Sequence, residues 1–144
     1  MNFVREVRIK YGKPQKTREP IRGPESAAAF IRKTVIRENN KEHMVLLCLD
    51  GSHQVFAWNL VSLGTANMTI VHPREIFQPA ILAGSVSIIV AHNHPSGSLD
   101  PSAEDIKATK QLCDAGKLLG IRVLDHIIVT EDGFLSLNEH GHIS

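Results

Sequence analysis

The sequence predicts an α/β domain, a mixed β-sheet covered by helices on both faces. Three observations carry this expectation. Apolar runs rich in β-branched residues interleave with segments of helical periodicity. Asp50-Gly51 stands between two apolar runs and marks an antiparallel hairpin. The 144 residues, 42% hydrophobic and 22% charged, have the composition of one globular unit. A chain of that length buries roughly 68–70% of its unfolded surface. Disordered, collagen-like and coiled-coil classes are excluded.

The elements follow in order. Phe3 to Tyr11 alternates weakly and suggests an edge strand, through which a second chain could pair. Gly12 to Pro20 reads as a linker. Gly23-Pro24-Glu25-Ser26 opens a helix with the stripe Ala28, Ile31, Val35 and Ile36, and Asn39-Asn40 ends it. Glu42 to Asp50 and Gln54 to Ser62 form the hairpin strands. Gly64 turns the chain into a short strand, Asn67 to Val71. Pro73 to Ala83 is a helix closed by Gly84. Ser85 to Ala91 reads as a buried strand, and His92 to Pro101 as a polar loop. Ser102 to Leu119 is the longest helix, closed by Gly120. Ile121 to Thr130 and Phe134 to Leu137 are strands around the turn Glu131-Asp132-Gly133.

Charge is unevenly spread. Residues 1–22 carry seven Lys/Arg against two Glu, a net of +5, whereas 23–144 carry nine basic against thirteen acidic residues, a net of −4. This divides the chain into a basic arm, 1–22, and a body, 23–144. The arm is either a solvated leader or a weak contact for nucleic acid or an acidic partner. No apolar run approaches the roughly 18 residues of a membrane span, and the start has no apolar signal core. Cys48 and Cys113 lie in apolar stretches and read as buried thiols in a reducing cytoplasm.

The chemistry concentrates in residues 91–105. His92 and His94 end an apolar strand, and residues two apart on a strand point to one side. Such a pair either offers two nitrogen ligands to one metal or is solvated. At about 100° per residue, Asp105, Ala108, Leu112, Ala115 and Leu119 share one helix face, which turns Asp105 toward the core. A buried carboxylate needs a cation or a proton. Ser102-x-x-Asp105 also resembles a capping box, with Asp100-Pro101 as a competing cap. Hydrolysis at such a metal also needs a general base. Glu42 starts a strand expected beside the histidine strand, and Glu38 is its nearest competitor. Asp125-His126 is either a pair that orients the metal histidines or a hydrogen-bonded core pair.

His92-x-His94, Ser102 and Asp105, with an upstream Glu on a strand, resemble the JAMM signature of the JAB/MPN family. The segments Val71-His72-Pro73-Arg74-Glu75-Ile76-Phe77, His92-Asn93-His94-Pro95-Ser96-Gly97 and Leu124-Asp125-His126-Ile127-Ile128 resemble its RadC-like branch. The likeness runs from about Pro24 to His140. It implies a cytidine-deaminase-like α/β sandwich, with His92, His94 and Asp105 as ligands of one zinc ion. It further implies Glu42 as acid/base and Ser102 as hydrogen-bond donor to the reacting oxygen. The implied reaction is hydrolysis of a peptide, isopeptide or related amide bond of an unidentified substrate. Proteins of this branch usually carry an N-terminal helix-hairpin-helix region, and a basic stretch stands in its place here. That favours a compact single-domain form. The competing reading is a metal-binding accessory module in DNA repair or recombination. A metal-dependent nuclease fits less well, because the body is acidic.

Overall fold

The computed structural model describes residues 2–36, 41–64 and 72–143, apart from the side chains of 63 and 64. Within them, six strands form one sheet: β1 (Glu19–Pro20), β2 (Glu42–Leu49), β3 (Gln54–Gly64), β4 (Ser87–Asn93), β5 (Arg122–Val129) and β6 (Phe134–Ser136). Their spatial order is β1-β3-β2-β4-β5-β6. β4 and β5 run parallel, and every other described pair is antiparallel, so the sheet is mixed. β2 and β4 are central and almost wholly buried, which is why residues 44–49 and 88–91 are apolar without interruption.

Three α-helices cover the sheet: α1 (Pro24–Phe30), α2 (Pro73–Ala83) and α3 (Ala103–Leu119). On one face, Met44, Leu46, Ile88 and Val90 pack with Ile76 and Phe77 of α2 and Leu112 of α3. On the other, Val45, Leu47, Ile89 and Ile127 pack with Ala27, Ala28 and Phe30 of α1. The expected two-sided sandwich is therefore present. α2 and α3 end where expected, at Gly84 and Gly120 in the left-handed conformation.

α1 continues as a π-helical turn, Ile31–Val35, in which Ile36 N donates to Ile31 O at 2.9 Å. The changed phase buries Ala27, Ala28, Phe30, Ile31 and Ile36, and leaves Val35 half-buried. Arg32, inside this turn, donates to the carbonyls of Thr130 (3.1 Å) and Gly133 (2.5 Å), tying the helix to the β5–β6 turn.

Several expectations are corrected. Phe3 to Tyr11 forms no strand; residues 2–11 are exposed. Instead Glu19–Pro20, within the expected linker, pairs with the first residues of β3, Gln54 and Val55. The arm is also held by Tyr11 Oη, which donates to Ala83 O at 2.7 Å, and by Trp58 Nε1, which donates to Gln15 Oε1 at 3.2 Å. The hairpin after Asp50 turns through Gly51, Ser52 and His53, with the left-handed position at His53 (φ 57) rather than at Gly51. Asp50 Oδ1 supports it by accepting from Gln54 N (3.0 Å) and Ser52 N (2.9 Å). Those bonds, with Arg18 beside the carboxyl, hold its pKa below the usual range. On α3 the buried line is Asp105, Thr109, Leu112, Cys113 and Gly116, and Leu119 is 47% exposed. The helix seats closest at Gly116, where a side chain would meet Ile121 O, Phe77 and Val123. Leu119 lies off that line. The expected strand Asn67–Val71 and the Asn39-Asn40 helix end lie outside the described residues, as does Glu38.

Cys48 and Cys113 are buried and unbridged, and burial raises both thiols. Among the described residues no helix is long and apolar enough to cross a membrane.

Candidate metal centre

The site lies where β4 ends and α3 begins, at the carboxyl end of the parallel strand pair. Ligands of α/β sheets commonly bind at such a crevice. β4 extends two residues further than expected, so His92 is still in the strand. His94 N donates to Val129 O at 3.1 Å, which continues the strand direction. The two imidazoles therefore emerge on one side, their centroids 4.7 Å apart. His92 Nε2 lies 2.9 Å from His94 Nε2 and 3.8 Å from Asp105 Oδ2. One ligand atom from each of the three residues falls within 4.8 Å of the others. Tetrahedral zinc with bonds of about 2.0–2.1 Å spaces its nitrogen ligands by about 3.3 Å, so the set needs only small adjustment to close on one ion.

Asp105 answers to both sequence readings at once. Ser102 N donates to Asp105 Oδ2, and Asp105 N to Ser102 Oγ, each at 3.0 Å, completing the capping box. A carboxylate has about four lone-pair sites, so capping leaves it able to accept a cation. The box fixes the side chain with one oxygen toward His92. Ser102 is exposed, and accepting from Asp105 leaves its own hydroxyl proton available.

Glu42 begins β2, which runs antiparallel to β4 with Met44 opposite His92. Two residues before Met44, it belongs to the same face and the same end of the sheet, and it is half-buried. Asn93, between the histidines, is buried and turns its amide to β2. Its Oδ1 accepts from His43 N (2.5 Å), and its Nδ2 donates to Lys41 O (2.8 Å). That clip brackets Glu42 on both sides.

The pair Asp125-His126 divides. Asp125 accepts from Ser136 Oγ (2.6 Å), His126 N (2.8 Å) and Asn138 N (3.1 Å), joining β5 to the C-terminal segment. Burial raises its carboxyl pKa. His126 belongs to the site. A bulge in the β4–β5 pairing sets Val123 opposite Ile88 but Asp125 opposite Ile89, leaving Leu124 without a partner. The extra residue reverses side-chain parity, so His126 shares the face of Val90 and His92. His126 Nε2 lies 2.7 Å from His92 Nδ1, and His126 Nδ1 lies 2.6 Å from Thr109 Oγ1. Thr109 Oγ1 also lies 2.7 Å from Asp105 O.

Proton positions follow from these contacts. A carbonyl only accepts, so His94 Nδ1 donates to Ser98 O (2.7 Å), which leaves its Nε2 facing His92. The Thr109 hydroxyl has one proton and two acceptors in reach. Turned to Asp105 O, it accepts from His126 Nδ1, His126 Nε2 accepts from His92 Nδ1, and His92 Nε2 is an open lone pair. Turned to His126, it reverses the chain, and His92 Nε2 carries a proton aimed at His94. Burial lowers the His92 pKa to about 4, against the pull of Asp105, and lowers that of His126 well below its usual value. Both rings are therefore neutral near pH 7, the form that binds metals.

Thr109 and the Asn93 clip are absent from the sequence reading. A polar residue in an otherwise apolar buried line is the one signal that marks them.

Fold and donor set define a mixed-sheet α/β domain with a His/His/Asp group, capable of holding a metal, at the end of its parallel pair. Residues 21–142 match the RadC-like JAB domain, and the chain belongs to that family. It is 48% identical over 108 residues to a UPF0758 protein of Methanosarcina barkeri, covering 75% of this chain and 47% of that one. A UPF0758 protein of Bacillus mycoides is 44% identical over 139 residues, 96% of this chain and 60% of the relative. The chain thus spans about half of the length of these curated relatives.

Proposed function

We propose that this domain is a zinc-dependent hydrolase of JAMM type that cleaves a peptide, isopeptide or related amide bond. The observation that carries the reading is the convergence of His92, His94 and Asp105, the first and last of them buried. Two imidazoles and a carboxylate form a three-ligand set of borderline-soft character that would suit zinc. When bound there, zinc supplies Lewis acidity to a water and to the substrate carbonyl. Glu42, at the rim of the same face, accepts the proton of the attacking water and returns it to the leaving amine. The Ser102 hydroxyl donates to the oxygen that gains charge. Asn93 holds the backbone on both sides of Glu42 during both transfers.

Mass-spectrometric metal content tests this, on protein purified without chelator or affinity tag. One zinc per chain is expected, lost in His92→Ala and in Asp105→Ala. Glu42→Gln should keep zinc and lose turnover on a panel of amide substrates. Absence of zinc, with no uptake on addition, would sink the hydrolase reading. Turnover retained in Glu42→Gln would move the base to another carboxylate.

A second reading, a metal-holding accessory module in DNA metabolism, draws on the exposed basic arm, in which Arg5, Lys10 and Lys13 face solvent. It predicts a salt-sensitive DNA affinity that disappears when residues 1–22 are deleted.

A further inference from the structure

We infer that Thr109 and His126 are positioning residues that support His92 in its metal-binding tautomer, with the Thr109 hydroxyl as the acceptor that completes it. The inference rests on the metal-site reading above, and concerns residues that lie outside the ligand set. Thr109 and His126 are both fully buried, so water does not complete their bonding. His92 ligates through Nε2 only if its proton sits on Nδ1. His126 accepts that proton at Nε2 only if its own proton sits on Nδ1. That nitrogen faces Thr109 Oγ1 at 2.6 Å. Thr109 accepts there because its hydroxyl can turn to Asp105 O, 2.7 Å away. The run therefore starts on the backbone of one ligand, Asp105, and ends on the ring of another, His92. Both proton arrangements place the same number of protons on the two rings. Metal binding selects between them, and the hydroxyl rotor makes the selected one fully hydrogen-bonded.

Removing the hydroxyl leaves His126 Nδ1–H buried without an acceptor, which disfavours the binding tautomer. Partners of this kind typically change metal affinity by about 10–100-fold. The test is zinc affinity by chelator competition on the full chain, for wild type, Thr109→Val and Thr109→Ser. Val keeps the shape and loses the hydroxyl; Ser keeps the hydroxyl and loses a methyl. The relay predicts Val about 10–100-fold weaker and Ser close to wild type. A packing role predicts the reverse order, and that order would overturn the inference, as would equal affinity in all three. Nitrogen NMR of the zinc-loaded protein should show both His92 and His126 protonated at Nδ1; a proton on His126 Nε2 would also overturn it. A wild-type chain that takes up no zinc overturns this inference and the hydrolase reading together. Zinc uptake without amide cleavage overturns the hydrolase reading alone.

Discussion

At the scale of single residues, Asn93 serves β2 with one amide while its neighbours serve the site. It satisfies a backbone donor at His43 and a backbone acceptor at Lys41, both beside Glu42. A buried polar group left without its partner costs about 1–3 kcal/mol. Asn93→Ala is therefore expected to lower stability by about that amount, read from urea unfolding, while His92, His94 and Asp105 still take up metal. An unchanged unfolding midpoint would show that the clip contributes nothing. The three metal-type residues were legible because their relations are local. Strand alternation joins His92 to His94, and helix phase turns Asp105 inward. Thr109 was not, and His126 only as one of two open readings of the Asp125-His126 pair, because their meeting depends on the bulge at Leu124, which reverses the parity of everything after it. No spacing rule applied to Leu124-Asp125-His126 reveals that reversal.

At the scale of elements, strands and helices that bury a full face were the ones the sequence showed best. β2, β4, α2 and α3 fall within about two residues of expectation, since unbroken apolar runs and closing glycines mark them. Phe3 to Tyr11 misled because alternation alone does not bring a segment to a partner, and residues 2–11 are exposed rather than paired into the sheet. The α3 stripe was read one position off because Gly116 determines the seat of the helix. A Cβ there would run into Ile121 O, which is backbone and cannot turn aside. Gly116→Ala should thus cost about 1–3 kcal/mol despite alanine's better helix propensity. Gly12→Ala, where a Cβ meets nothing within 4 Å, is the matched control. Equal melting temperatures for the two variants would disprove the close seat. The first turn of α3 carries a double duty, since one capping box presents Asp105 and, a turn later, Thr109 reaches back to the Asp105 carbonyl. Fraying of that turn would disturb two ligands together.

At the scale of the whole molecule, the buried imidazoles link folding to pH. In the unfolded chain His92 and His126 take up protons near their usual pKa of about 6.5. In the fold, burial delays this, to about 4 for His92 and well below 6.5 for His126. Between those values the unfolded state binds more protons, so stability falls as pH falls. Asp125, whose pKa burial raises, acts oppositely above its usual value, but as one group against two. Metal-free protein should lose urea resistance steadily from pH 6.5 to 4.5; a constant midpoint would contradict neutral buried rings. The borders of the sheet bear on another property. Its outer strands, β1 and β6, are two and three residues long, and Pro20 in β1 has no N–H to offer. β1 pairs only with Gln54 and Val55, so most of the eleven-residue β3 has no strand partner on its outer side among the described residues, and that stretch is where an added strand would pair. The short, proline-bearing β1 thus blunts only the start of that border, and edge-to-edge association is expected on the β3 side rather than along the buried centre of the sheet.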